Sequence, residues 1–248
     1  MSEPTVSSYE IQGKTVEMPV EVRQAASGIA SFIVPTSVAQ GLVGDAFEVP
    51  DFLPGRTLFM LGCIDYRDND LGDYNEVAMN FFVRKRGARG GFPYLSSWLG
   101  MGKGTLAAYA WKMPVNQSFT RDAGATIWGF PKTIERIDFA YDSPGRFGAR
   151  LEMDGEMVFE INMRRGGKIS RPAMDLESYS YINGIPHRTP FVATSEGMGT
   201  HFGGGDVVLS LGKHPIAETL RRLGLPRKPL MTMWTEKMKM TFQAPQKL

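Results

Sequence analysis

Residues 56–84, RTLFMLGCIDYRDNDLGDYNEVAMNFFVR, decide the fold class of this chain of 248 residues. Two runs rich in aliphatic and aromatic residues, 56–66 and 74–84, are typical of long β-strands. Between them, residues 68–73 are loaded with aspartate, asparagine and glycine, which favour turns. The stretch therefore predicts an antiparallel hairpin.

A second hairpin is predicted where residues 146–153 and 156–163 flank Asp154-Gly155, a pair that favours a two-residue turn with positive φ. Other segments carry weaker strand patterns or the start and stop signals of helices. Further strands are predicted at 28–34, 178–182, 206–211 and 230–242, and short helices at 38–43, 117–127 and 215–223.

This element pattern favours an α+β fold over a doubly wound one. Many strands are joined by hairpins, and the regular alternation of strand and helix that a parallel sheet requires is absent. With no internal repeat or long linker, residues 1–248 are predicted to form a single domain on a large, mostly antiparallel β-sheet. Residues 1–20 are polar and weakly patterned, and we expect them to form an N-terminal arm.

Composition excludes several classes of function. A hydrophobic fraction of 42% fills an ordinary globular core, and a net charge of +2 gives no reason to expect nucleic acid. No apolar run approaches the roughly 20 residues of a membrane span, so no membrane partner is expected. The single cysteine, Cys63, lies in an apolar run and excludes an internal disulfide; this pattern favours a buried thiol and a reducing, cytoplasmic location.

Patterns for metal ions, phosphates and serine nucleophiles are missing. His187, His201 and His214 lack ligand spacing, so we expect no metal site. The glycine-rich residues 100–105 separate the lysine from the threonine and depart from a phosphate loop. The acidic residues 68–73 do not follow a calcium loop, and no Gly-x-Ser-x-Gly elbow is present.

Lys132 stands at the end of AGATIWGFPK, residues 123–132, where a helix-like segment meets Gly129 and Pro131. Proline stiffens the backbone before the lysine, while Trp128 and Phe130 offer apolar surroundings. An amine must be neutral to attack a carbonyl, and desolvation disfavours the charged form. From these residues alone, a surface lysine after a turn is the more frequent case.

Together with residues 72–76, GDYNE, this motif resembles the acetoacetate decarboxylase family, and the order of elements agrees over most of the chain. The resemblance implies a barrel- or cone-like sheet with a few short helices, no cofactor and a homo-oligomer. It also implies that Lys132 forms a Schiff base with the substrate ketone and that Glu76 acts as an acid, a base or an electrostatic group. Arg23 lies where the family has an arginine that binds the substrate carboxylate.

The sequence departs from the family at Thr133, where the decarboxylase has a second lysine. Activation of a lysine by a neighbouring cation, for which this family is the standard example, would then be missing. A further family glutamate also has no counterpart in residues 59–62, FMLG. Desolvation would remain as the main activating effect, and the family includes members whose imine does not lead to decarboxylation.

We therefore expect a cofactor-independent lyase that decarboxylates a β-keto acid through an imine at Lys132. An aldolase or dehydratase that uses the same imine is one alternative, and a non-catalytic protein that binds a small molecule is another. Four aromatic residues are expected to line the pocket: Phe92, Trp98, Trp128 and Phe130.

Overall fold

A computed structural model describes residues 8–88, 91–141, 143–204 and 206–248. The helices are α1 Thr36–Gln40, α2 Leu95–Lys103, α3 Ser118–Trp128 and α4 Pro215–Arg222. The strands are β1 Ser8–Ile11, β2 Lys14–Glu17, β3 Val20–Pro35, β4 Phe47–Glu48, β5 Arg56–Asn69, β6 Tyr74–Lys85, β7 Ala107–Val115, β8 Lys132–Ile134, β9 Arg136–Ala140, β10 Arg146–Met153, β11 Glu156–Arg164, β12 Ile169–Ile182, β13 Ile185–Phe202, β14 Val208–Leu211, β15 Met231–Phe242 and β16 Gln246–Lys247.

Seven strands form a closed barrel in the order β6, β5, β3, β15, β13, β12, β7 and back to β6. Neighbouring strands are antiparallel except β12 and β7, which run parallel. The short strand β8 adds to β7 in parallel. The predicted α+β fold with a mostly antiparallel, barrel-like sheet is therefore confirmed, and the β5–β6 pair is the hairpin expected for residues 56–84.

A second, four-stranded sheet in the order β14, β11, β10, β9 covers part of the barrel. Its β10–β11 hairpin turns at Asp154 and Gly155, both with positive φ, as the sequence predicts. Phe147 and Phe159 of this sheet share one buried cluster with Phe59 and Trp234 of the barrel. The largest apolar core thus lies between the outer surface of the barrel and the second sheet.

Strand β6 shows how the barrel wall is buried on both sides. Because side chains alternate along a strand, Val77, Met79, Phe81 and Val83 point into the outer core. The residues between them point into the barrel and line its interior. A wall that is apolar on both faces explains the continuous apolar runs in this part of the sequence.

The predicted N-terminal arm, residues 1–20, is ordered along much of its length. Residues 1–7 lie outside the described part of the chain, and β1 and β2 then form a two-stranded hairpin. Ile11 and Val16 of this hairpin pack with Ala123 and Ile127 of α3. Among the described residues, no helix is long and apolar enough to cross a membrane.

Helix α2 differs from the sequence-based expectation of a tight loop at residues 100–105. Its last turn runs through this segment and ends at Gly104, which has φ +70°. Ser97 and Gly100 are its buried positions, and Ser97 donates a hydrogen bond to the Asp51 carbonyl. Tertiary contacts therefore stabilise a helix whose glycines give it low intrinsic propensity.

We predict that Gly129→Ala destabilises the protein by at least about 2 kcal/mol, since an L-residue in the left-handed region costs about 1–2 kcal/mol before any steric overlap. Gly129 has φ +66°, and a Cβ atom there would lie 2.2 Å from the Tyr181 carbonyl oxygen. Gly184→Ala is the matched control, because Gly184 has φ +76° and no atom within 4 Å of such a Cβ. Equal losses of unfolding free energy in denaturant titrations would contradict the packing argument.

Candidate active site

The barrel encloses a cavity of about 380 Å³, a size typical of small-molecule sites. Its walls are mostly apolar and are contributed by all seven barrel strands and by helices α2 and α3. Thioether side chains are unusually abundant, since eight of the chain's 15 methionines line it. These are Met60, Met101, Met113, Met174, Met198, Met233, Met238 and Met240.

Lys132 and Glu76 meet at the wall of this cavity. The Nζ atom of Lys132 lies 2.8 Å from Oε2 of Glu76, and their side chains are only 4% and 5% exposed. Strand β7 brings them together, because Val115 pairs with Glu76 on one side and Met113 pairs with Lys132 on the other. Lysine and glutamate are almost never fully buried unless they are paired, and a buried pair in a cavity marks a candidate functional site.

The end of α3 fixes the position of the lysine. Gly129 ends the helix in the left-handed conformation, and the Phe130 amide donates to the Gly124 carbonyl. Beyond Pro131, the Lys132 amide donates to the Phe130 carbonyl at 2.8 Å. This compact turn carries the chain from the helix into β8, so that the first side chain of β8 enters the barrel.

Gly124 leaves the space that the lysine side chain occupies. A Cβ atom at this position would lie 2.5 Å from Cδ and 2.6 Å from Cε of Lys132. The aliphatic part of the lysine therefore packs directly on the α3 backbone, and this contact directs Nζ toward Glu76.

Two stacked tyrosines complete the polar end of the cavity. The Tyr66 and Tyr74 rings lie 4.3 Å apart, and Nζ of Lys132 lies 4.9 Å from the centre of the Tyr74 ring. The Tyr66 hydroxyl donates to Oε1 of Glu76 across 3.5 Å. Burial, followed by the charge of Glu76, raises the pKa of Tyr66 well above its usual value. The pKa of Tyr74 is also raised, mainly by burial and then by Tyr66 and Glu76, so both phenols stay protonated.

The arrangement suits proton transfer between an amine and a carboxyl group. Moving one proton from Nζ to Oε2 converts the ion pair into a neutral amine beside a carboxylic acid. Burial disfavours two separated charges and so reduces the cost of this neutral state relative to water. A neutral amine facing an apolar cavity can attack a carbonyl carbon.

Trp128 and Phe130 line the cavity, as the sequence predicts. They stack with ring centres 5.8 Å apart, and Trp128 also contacts Phe242. The indole N–H of Trp128 donates to the Gln243 carbonyl, which fixes the orientation of this wall.

Phe92 and Trp98 do not line the cavity, and the expectation that they do is wrong. Phe92 is 83% exposed, just before α2. Trp98 packs edge-on against Phe52 at 5.0 Å and donates its indole N–H to the Phe52 carbonyl. Helix α2 places Trp98 on another surface and presents Met101 to the cavity instead.

Arg23 also lies apart from Lys132, so the structure gives no support to its predicted role as the carboxylate partner. Its guanidinium pairs with Asp68 at 2.8 Å and with Asp70 at 2.5 Å, and its side chain is 49% exposed. The preceding Val22 lines the cavity, and Arg23 is not among the cavity residues. Strand alternation therefore directs the arginine outward.

Thr133 has less influence on Lys132 than the sequence suggests. In β8, Lys132 is buried whereas Thr133 is exposed, because successive residues face opposite ways. Position 133 is thus not among the cavity-lining residues. In this fold, a cation there would lie in solvent on the far side of the strand from the reactive amine.

Sequence reasoning missed Tyr66, Gly124, Asn80 and Arg171. The period-two pattern from Tyr74 to Phe82 was a usable signal for Asn80, because it places residues 76, 78, 80 and 82 on one face. The role of Gly124 depends on a helix–strand contact that no local pattern encodes.

Within the described residues, no cluster of His, Cys, Asp or Glu could hold a metal ion. Cys63 is buried, as the sequence predicts, and desolvation raises the pKa of its thiol to about 12.

The fold and the site together are a closed barrel whose cavity holds a buried lysine–carboxylate pair. A family model for acetoacetate decarboxylase matches residues 11–244, so the chain belongs to the acetoacetate decarboxylase family. No curated protein sequence matches it significantly.

Solved structures agree with this fold. An acetoacetate decarboxylase from Legionella pneumophila aligns over 93% of this chain and 87% of its own, with a TM-score of 0.66 and 14% identity. The enduracididine biosynthesis enzyme MppR complexed with pyruvate covers 92% and 90%, with a TM-score of 0.64 and 13% identity. An acetoacetate decarboxylase-like enzyme from Sphingomonas wittichii covers 95% and 96%, with a TM-score of 0.55 and 15% identity. At these identities the likeness shows the fold.

We predict that Gly124→Ala leaves the protein folded but slows reaction at Lys132 about tenfold or more, since misplacing a reacting group by about 1 Å costs up to roughly 100-fold. Alanine favours the helix, so stability should not fall much. Gly102→Ala in α2 is the control, because nothing lies within 4 Å of its added Cβ. Unchanged rates of borohydride trapping with a ketone in Gly124→Ala would contradict the positioning role.

Proposed function

We propose that this protein is a Schiff-base-forming lyase that decarboxylates a β-keto acid through Lys132. The observation that carries the proposal is the 2.8 Å Lys132–Glu76 contact between two almost fully buried side chains at an apolar cavity. Membership of the acetoacetate decarboxylase family supports the same class of chemistry. No cofactor is needed, because the protonated imine itself withdraws the electron pair that decarboxylation releases.

The proposed reaction begins when the neutral amine of Lys132 attacks the ketone carbon. Glu76 returns a proton to the carbinolamine oxygen, and water leaves to form the protonated imine. The bond to the carboxylate carbon then breaks, carbon dioxide departs, and the electron pair moves to the imine nitrogen to give an enamine. A proton adds to the enamine carbon, and water hydrolyses the resulting imine, releasing a methyl ketone and restoring Lys132.

The charge distribution in the cavity favours loss of the carboxylate. Among the described residues that line it, the cations are Lys132 and Arg171, and Arg171 is exposed. A carboxylate near Lys132 would therefore lie mostly against apolar walls. Its charge disperses as carbon dioxide forms, so poor solvation disfavours the bound acid more than the transition state.

A second candidate is an aldolase or dehydratase that uses the same imine. MppR, one of the similar structures, is described in complex with pyruvate and with the condensation product of pyruvate and imidazole 4-carboxaldehyde. The two candidates share the lysine step and differ in which bond breaks next.

We predict that borohydride reduction in the presence of a β-keto acid or its ketone product attaches the ketone skeleton to Lys132. The reduced imine is a stable secondary amine, so mass spectrometry of peptides locates it. Lys132→Ala should give no adduct at this position. If wild-type protein gives none either, Schiff-base chemistry is excluded and the non-catalytic binding alternative gains support. Release of labelled carbon dioxide selects decarboxylation, whereas bond formation with an aldehyde and no carbon dioxide selects the aldolase.

We further predict that Glu76→Gln slows both imine formation and turnover. The amide cannot return a proton to the carbinolamine oxygen, so the borohydride adduct at Lys132 should form more slowly. Turnover should fall by about 100-fold or more, the usual contribution of a positioned general acid or base. Glu218→Gln, an exposed position on α4, serves as the control. A Glu76→Gln enzyme with kcat within twofold of wild type would contradict a proton-transfer role.

A further inference from the structure

The cavity extends far beyond the reactive pair. Glu76, Ala78, Asn80 and Phe82 occupy alternate positions of β6, and all four line it. At about 3.3 Å per residue, the six steps along the strand from Glu76 to Phe82 span roughly 20 Å. A four-carbon keto acid at Lys132 would leave most of this length unoccupied.

The distal part of the cavity is suited to an apolar chain. Phe82 pairs with Ala108 across β6 and β7, and both side chains line the cavity together with Met101 and Leu106. Methionine side chains adapt to chains of variable shape because they are flexible and polarisable. Each methylene group buried here gains free energy from leaving water.

Resting on the proposed imine chemistry, we propose that the physiological substrate is an oxo acid with a long apolar chain. The reacting carbonyl lies at Lys132 and the chain follows β6 past Asn80 toward Phe82 and Ala108. The Oδ1 atom of Asn80 is buried and has no hydrogen-bond partner among the described residues. Asn80 is therefore a polar group on the path of the chain, and a plain alkyl chain gains nothing from it.

The test uses methyl ketones of four, seven and nine carbons, which are the products expected from 3-oxo acids one carbon longer. Borohydride adds hydride to the imine carbon, and the adduct at Lys132 is quantified by mass spectrometry at several ketone concentrations. We expect the amount of adduct formed at a given ketone concentration to rise about threefold to fourfold per added methylene, up to nine carbons. This factor follows from the free energy of burying each methylene group. Equal efficiency for all three ketones, or a maximum at four carbons, would overturn the proposal. No adduct with any ketone would instead overturn the imine chemistry itself.

Two variants examine the path of the chain. Ala108→Phe narrows the distal part of the cavity and should reduce the ratio of nine-carbon to four-carbon trapping at least tenfold. Ala173→Phe is the matched control, because Ala173 is exposed on β12 and is not among the cavity residues. The ratio of nine-carbon to four-carbon trapping in Ala173→Phe should equal that of wild type. The same ratio in Ala108→Phe as in wild type would overturn the proposed path.

Asn80→Leu provides an independent measurement if Ala108→Phe fails to fold. It removes an unpaired amide oxygen that a bound alkyl chain would otherwise keep from water. We expect the ratio of nine-carbon to four-carbon trapping to rise at least threefold. A ratio that stays the same or falls would show that the chain does not pass Asn80.

Discussion

The buried contact between Lys132 and Glu76 is the constraint on which the rest of the structure depends. Two ionisable groups with side chains 4% and 5% exposed lose most of their hydration, and loss of one partner from a buried pair costs about 3–5 kcal/mol. Such a pair is retained where neighbouring strands already satisfy the backbone hydrogen bonds around it, so that no water is needed there. The sheet meets this condition at β7, which pairs with β6 on the side of Glu76 and with β8 on the side of Lys132.

Because the barrel is closed, the two faces of a single strand have different roles. On β6, the odd-numbered residues from Val77 to Val83 pack into the apolar core beneath the second sheet, which stabilises the wall. The even-numbered residues face the interior, where Glu76 holds the lysine and Phe82 lies about 20 Å along the strand, at about 3.3 Å per residue. Residues that face the cavity can therefore change without altering the outward-facing residues that pack in the core.

The sequence predicts those parts of the site that local geometry determines. A helix end and a proline set the local conformation around Lys132, Trp128 and Phe130 within a few residues, although the family motif was needed to single out Lys132. The role of Glu76 came from the family resemblance, because its contact with Lys132 joins strands 56 residues apart. Phe92 and Trp98 were misplaced because α2 forms through contacts with Asp51 and Phe52, which the glycine-rich sequence does not reveal. The predicted carboxylate-binding role of Arg23 overlooked the two-residue period of β3. This period directs Arg23 away from the face that Val22 occupies.

The exposed position of Thr133 bears on how the lysine is activated. In the family pattern a second lysine follows the catalytic one, and the sequence alone suggests that its loss removes a helpful charge. On β8, however, adjacent side chains point to opposite sides, so a charge at 133 would be screened by solvent. The groups that act on Lys132 at short range are Glu76, Tyr74 and the Gly124 backbone. The immediate surroundings of Lys132 are therefore an apolar wall and the Glu76 carboxylate, and both are compatible with a threonine at position 133.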